Sequence, residues 1–104
     1  MSVRVVRWEG SERPSESSLR QMLRDEGLDA YLWSNGPGDL YSPHFHAYSK
    51  VIYVVTGSIT FGLPDLGQSI ELEPGDCLEL PAGVRHDAAV GKRGVSCLEA
   101  HREV

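Results

Sequence analysis

The sequence has few cysteines, no long apolar run and no excess of positive charge. Its two cysteines, Cys77 and Cys97, are too few and too far apart for a disulfide scaffold or a paired zinc motif, so we expect two reduced thiols. The longest apolar run, residues 51–55, falls far short of the roughly 20 residues of a membrane span. The formal net charge of -5 argues against nucleic acid and anionic membranes as partners, because both recruit excess lysine and arginine.

The length of 104 residues suits one domain covering residues 1–104. Near the N-terminus, Arg4 and Arg7 interrupt the apolar residues, and no small-residue cleavage pattern follows. This segment is not typical of a secretory signal peptide, so we expect a cytoplasmic location.

One helical pattern is present. Leu19, Met22 and Leu23 recur at helical spacing within residues 14–26, and Gly27 follows as a helix-ending residue. After it the apolar pattern changes to period two, which predicts short strands separated by Gly and Pro turns, including turns at Gly57 and at residues 91–94. The pattern predicts an all-β antiparallel sandwich or barrel with one short N-terminal helix.

Three histidines carry the most specific chemical signal. His44 and His46 flank Phe45, so in an extended strand both imidazoles leave the same face, with Cα atoms roughly 6.5 to 7 Å apart. That separation lets two rings converge on one metal ion, and a sheet could bring His86 alongside. An H-x-H pair taken alone also fits two ordinary histidines.

The spacing around these histidines resembles the two sequence motifs of the cupin family. The first motif is matched over residues 38–57, by Gly38, His44, His46, position 50 and Gly57. The second is matched without a gap over residues 75–86, from Gly75 through Pro81 and Gly83 to His86. The resemblance implies a cupin double-stranded β-helix, or jelly-roll, barrel. It also implies a divalent transition metal (Fe, Mn, Ni, Zn or Cu) held by His44, His46 and His86.

The sequence departs from the family at position 50, where Lys50 replaces the usual glutamate ligand. In one straight strand this position would lie about 13 Å from His46, so it can approach the ion only if the chain turns at residues 47–49 and runs back as a hairpin. An ammonium beside a dication is strongly unfavourable. Three arrangements relieve the repulsion: Lys50 is neutral, it points to solvent, or an anion lies between it and the metal. The last would give Lys50 a catalytic or ligand-binding role.

Other residues are weaker candidates for the site. Aromatic residues at strand spacing are more often core than pocket. In the strand at 77–80 we expect Leu78 and Leu80 to face the core and Cys77 and Glu79 to face outward, and we expect His101 to be exposed. The weaker pocket candidates are Tyr31, Trp33, Tyr41, Tyr53, Phe61 and Arg85.

Two function classes follow from the resemblance. In one, the protein is a metal-dependent enzyme of dioxygenase or isomerase type that acts on a small, oxygen-rich, anionic molecule. In the other, it is a non-catalytic module that binds a small ligand, with or without a metal. Exposed sheet edges, including a predicted N-terminal strand at residues 3–8, favour a homodimer in either case.

Overall fold

The computed structural model describes residues 2–102, and within this range the chain is almost entirely β-structure. The all-β prediction with one short N-terminal helix is confirmed. The elements are strands β1 (Arg4–Val6), β2 (Tyr31–Asn35), β3 (Leu40–His44), β4 (Ser49–Leu63), β5 (Gln68–Leu72), β6 (Cys77–Leu80) and β7 (His86–Arg102), helix α1 (Glu16–Asp25) and a 3-10 turn (Pro64–Leu66).

Strands β4 and β7 organise the sheet. They pair antiparallel along nearly their whole length, from Ser49 opposite Arg102 to Gly62 opposite Asp87. The sheet order is β1-β6-β4-β7-β2, with β5 added on β4 and β3 added on β7. The later half of β7 therefore pairs with β2, and its first residues pair with β3. This arrangement is a jelly roll in which two long strands connect the two halves of the barrel.

The prediction that strands end in turns at Gly57 and at residues 91–94 is wrong. Both lie inside long strands, where the β4–β7 register shifts between Gly57 and Ile59. Gly57 has φ +77°, and a Cβ atom on it would collide with the carbonyl oxygen of Gly94. Glycine is needed here because the two strands bend and approach closely at the same point.

Helix α1 covers one face of the sheet. It begins after Ser15, whose Oγ accepts a hydrogen bond from the Ser18 amide at 3.1 Å. Leu19 and Leu23 are fully buried against the sheet, whereas Met22 is 40% exposed, so the predicted apolar stripe is narrower than its spacing suggested.

The helix also explains why Cys77 does not face outward as predicted. Cys77 is buried in the cluster between α1 and the sheet, while Leu78 and Leu80 lie in the barrel core as expected. The strand therefore buries residues on both of its faces, and simple alternation does not distinguish inside from outside. Glu79 stays partly exposed and pairs with Arg4 at 3.1 Å.

In residues 2–102, no helix has the length and apolar character that crossing a membrane requires.

The close approach at the strand bend predicts a large difference between two glycine substitutions. Gly27 also has φ +77°, but a Cβ atom there would meet no atom within 4 Å. We expect Gly27→Ala to lower the free energy of unfolding by about 1 to 2 kcal/mol through backbone strain alone. Gly57→Ala should cost about 1 to 3 kcal/mol more, because the Gly94 strand must shift. Urea unfolding measures both, and equal losses would contradict the role assigned to the bend.

Candidate metal centre

The structure brings together the three histidines that the sequence singled out. His44 is the last residue of β3 and pairs directly with His86, the first residue of β7. His46 lies two residues after His44 in the chain. The ring centroid of His44 lies 4.4 Å from the ring centroid of His86 and 4.8 Å from that of His46. One nitrogen from each ring falls within 4.8 Å of the other two. That spacing allows all three nitrogens to contact one ion.

The hydrogen bonds of the imidazoles fit a metal site. Nδ1 of His44 lies 2.7 Å from the Ser42 carbonyl oxygen, and Nδ1 of His86 lies 3.0 Å from that of Val84. An imidazole that donates through Nδ1 keeps the Nε2 lone pair available as a ligand. Nε2 of His46 is buried and, among the described residues, has no hydrogen-bond partner. A buried polar atom without a partner is costly, and a metal ion would supply one here.

The charge state of the imidazoles also suits metal binding. Burial lowers the pKa of His46, and the Lys50 charge lowers it further. Burial likewise lowers the pKa of His86, although its hydrogen bond to the Val84 carbonyl acts in the opposite direction. Both rings are therefore neutral at neutral pH, which is the state that coordinates a metal.

Lys50 does not point to solvent, which was one of the three arrangements considered from the sequence. Its side chain is only 14% exposed, and Nζ lies 3.2 Å from Oε2 of Glu99. The chain does bend at residues 47–48, but β3 and β4 do not form the expected hairpin. Instead both pair with β7, and Lys50 lies opposite His101 while His44 lies opposite His86. Lys50 reaches the cavity from the other half of the barrel.

Glu99 is the site residue that sequence reasoning missed. Its side chain is 4% exposed, and four groups contact its two oxygens. Oε2 accepts from Tyr31 Oη at 2.6 Å, from His101 Nε2 at 2.6 Å and from Lys50 Nζ at 3.2 Å, while Oε1 accepts from Trp33 Nε1 at 3.1 Å. His101 is exposed as expected, but it also belongs to this network.

These contacts keep Glu99 ionised. Burial raises its pKa, but the hydrogen bonds from Tyr31 and His101 and the Lys50 charge outweigh that effect and bring the pKa below its ordinary value. Burial and the same carboxylate raise the pKa of Tyr31, which therefore stays protonated. The network joins a buried carboxylate and a buried lysine to the hydroxyl of the half-exposed Tyr31.

His44, His86, Lys50 and Glu99 line one cavity of about 290 Å³. Of the weaker candidates, Tyr53 lies in the helix-side core and Arg85 pairs with Asp65 at the surface. The aromatic residues that do line the cavity are Tyr31, Trp33, Tyr41 and Phe61.

Comparison with known proteins agrees with this geometry. Residues 31–99 match a family model described as a cupin domain. Among solved structures, an RmlC-like cupin from Shewanella frigidimarina is 26% identical with a TM-score of 0.63, and the alignment covers 74% of this chain and 67% of that one. The sequence has no match among curated proteins.

Two further similar structures are enzymes. The polyketide cyclase RemF from Streptomyces resistomycificus is 29% identical with a TM-score of 0.63, over 71% of this chain and 54% of that one. The DMSP lyase DddQ from Ruegeria pomeroyi is 25% identical with a TM-score of 0.65, over 72% of this chain and 38% of that one. The chain thus spans only about half of the cyclase and less of the lyase.

Proposed function

The chain belongs to the cupin domain family, and on that basis we propose that it binds a divalent transition metal and acts on a small, oxygen-rich molecule. His44, His46 and His86 would hold the metal as part of a single cupin domain over residues 1–104, with its motifs at 38–57 and 75–86. The observation that carries the proposal is the buried, unpartnered Nε2 of His46 beside two imidazoles whose Nδ1 atoms are engaged by carbonyl oxygens. Fe, Mn, Ni, Zn and Cu all suit imidazole ligands.

The groups around the cavity favour proton-transfer chemistry. A bound metal would act as a Lewis acid on a ligand oxygen. Lys50 and Tyr31 line the same cavity, where each would donate to a ligand oxygen, and Glu99 contacts both side chains. We therefore favour isomerase or lyase chemistry over a dioxygenase. The lyase and cyclase activities of two similar structures support the same preference.

The cavity also favours a ligand with an apolar or unsaturated body. Its volume is at the lower limit for small-molecule sites, and aromatic side chains form much of its wall. Because Glu99 already neutralises Lys50, the positive charge that would attract an anionic ligand comes from the metal. A small anion with a carbonyl or hydroxyl group near the metal fits these features.

The metal site predicts stoichiometric binding that depends on pH. Purified protein should bind one divalent transition metal per chain and release it as the pH falls through roughly 6, because protonated imidazoles cannot coordinate. His46→Ala should abolish binding, whereas His101→Ala should keep one metal per chain. Elemental analysis after loading with Mn, Fe, Ni, Cu or Zn measures the stoichiometry, and its absence with every metal would contradict the proposal.

The proton-transfer role predicts hydrogen exchange at carbon. Metal-loaded protein in D2O should catalyse exchange next to the carbonyl group in at least one member of a panel of keto and hydroxy acids, followed by proton NMR. Lys50→Met should lower the exchange rate by about 100-fold or more. Lys92→Met removes a lysine charge at the exposed bend and should have no effect.

The same assay separates the competing function classes. Oxygen consumption without exchange would identify a dioxygenase and contradict the proton-transfer assignment. Tight ligand binding with neither reaction would identify a non-catalytic binding module.

We also propose that the protein is a cytoplasmic homodimer with no nucleic-acid or membrane partner. Strands β1 and β2 lie at the edges of the sheet order, and Tyr31 and Leu32 on β2 are 48% and 44% exposed. Pairing across a two-fold axis would cover such an edge. Light scattering at micromolar concentration should therefore give twice the 11.5 kDa mass of the chain. The monomer mass would contradict the dimer.

A further inference from the structure

The unusual feature of this metal centre is the positive side chain at position 50. We propose that Glu99 is the counter-ion that neutralises Lys50 and thereby allows the three histidines to hold a cation. This inference rests on the proposed metal binding. In it, a carboxylate that is far from Lys50 in the sequence balances the charge of the site. Glu99 acts through Lys50, so it is a positioning residue and not a ligand.

The geometry of the pair supports this role. Lys50 Nζ lies 3.2 Å from Glu99 Oε2, and the two side chains are only 14% and 4% exposed. Both line the cavity that also contains His44 and His86. Among the residues of 2–102 that line this cavity, Glu99 is the only carboxylate. No other protein anion at this cavity can balance the ammonium.

The fields of the two charges oppose each other at the histidines. Burial is the main cause that lowers the pKa of His46 and His86; in both cases the Lys50 charge lowers it further and the Glu99 charge raises it. A metal ion among these rings would experience the same two fields. Screening by water is weak in a buried site, so removal of either charge should change the affinity for a cation.

Glu99 is poorly placed to act as a metal ligand itself. Its oxygens already accept from Tyr31, His101, Lys50 and Trp33. Turning the carboxylate toward the histidines would break these four contacts and leave the Lys50 ammonium, which is only 14% exposed, without its counter-ion, which is costly. The Tyr48 ring lies between the two sites, with its centroid 4.1 Å from that of His101 and 5.0 Å from that of His46.

The test is Co²⁺ and Zn²⁺ affinity at pH 7 in four proteins: wild type, Glu99→Gln, Lys50→Met and the double variant. Glu99→Gln leaves the ammonium unbalanced and should bind at least about tenfold more weakly. Lys50→Met leaves an extra anion and should bind at least as tightly as the wild type. The double variant removes both charges and should return to within about threefold of the wild type.

Glu79→Gln is the matched control. It also removes one negative charge from an ion pair, but its partner Arg4 lies on β1, away from the cavity, so the metal affinity should not change. Thermal melts show which variants fold. If Glu99→Gln does not fold, Lys50→Met decides the question, because metal binding weaker than that of the wild type in this variant would overturn the inference.

Three results would overturn the inference. Wild-type affinity in a folded Glu99→Gln variant would show that the Lys50 charge needs no balance. A double variant as weak as Glu99→Gln would mean that Glu99 coordinates the metal or holds the site together by packing. If the wild type binds neither metal, the proposed function fails together with the inference. If the wild type binds the metal and Glu99→Gln binds it equally well, only the inference fails.

Discussion

The pairing of β4 with β7 holds the barrel together and positions the residues of its cavity. The two strands run side by side through both halves of the barrel and bend where Gly57 meets Gly94. β7 begins at His86, whose neighbour across the sheet is His44, and it carries Glu99 near its other end. Lys50 stands near the start of β4. Because the strands bend, His86 and Glu99 from opposite ends of β7 line one cavity together with Lys50 from β4. Straight strands would hold His86 and Glu99 far apart.

The buried charges follow from this architecture. An ammonium and a carboxylate at these depths would each be costly alone, and together they are tolerated because every oxygen of Glu99 has a hydrogen-bond partner. The pair leaves its part of the cavity polar but without net charge. The imidazoles of His44 and His86 line the same cavity. Such a cavity can hold a cation and still present a hydroxyl and an ammonium to the ligand that the cation binds.

Much of the site could be predicted from local sequence, because strand periodicity and motif spacing are local properties. The H-x-H pair places two imidazoles on one face, and the motif spacing identified His86 as their neighbour. Glu99 could not be predicted in the same way. It lies 49 positions from Lys50, and the two residues meet only because the start of β4 pairs with the end of β7, which no local pattern encodes.

Errors elsewhere have the same physical origin. Alternation predicted that Cys77 faces outward, but α1 covers the second face of that strand. The glycines at 57 and 94 look like turns in the sequence because glycine at positive φ occurs both in turns and, as here, where long strands bend. In both cases tertiary packing decided between two structures that the local sequence allows equally.

Anomalous diffraction from crystals loaded with Co²⁺ or Zn²⁺ shows which residues hold the metal. We expect one anomalous peak per chain, bonded to Nε2 of His44, His46 and His86 at about 2.0 to 2.2 Å, with Lys50 still paired to Glu99. A peak elsewhere, or an oxygen of Glu99 within bonding distance of the ion, would contradict it.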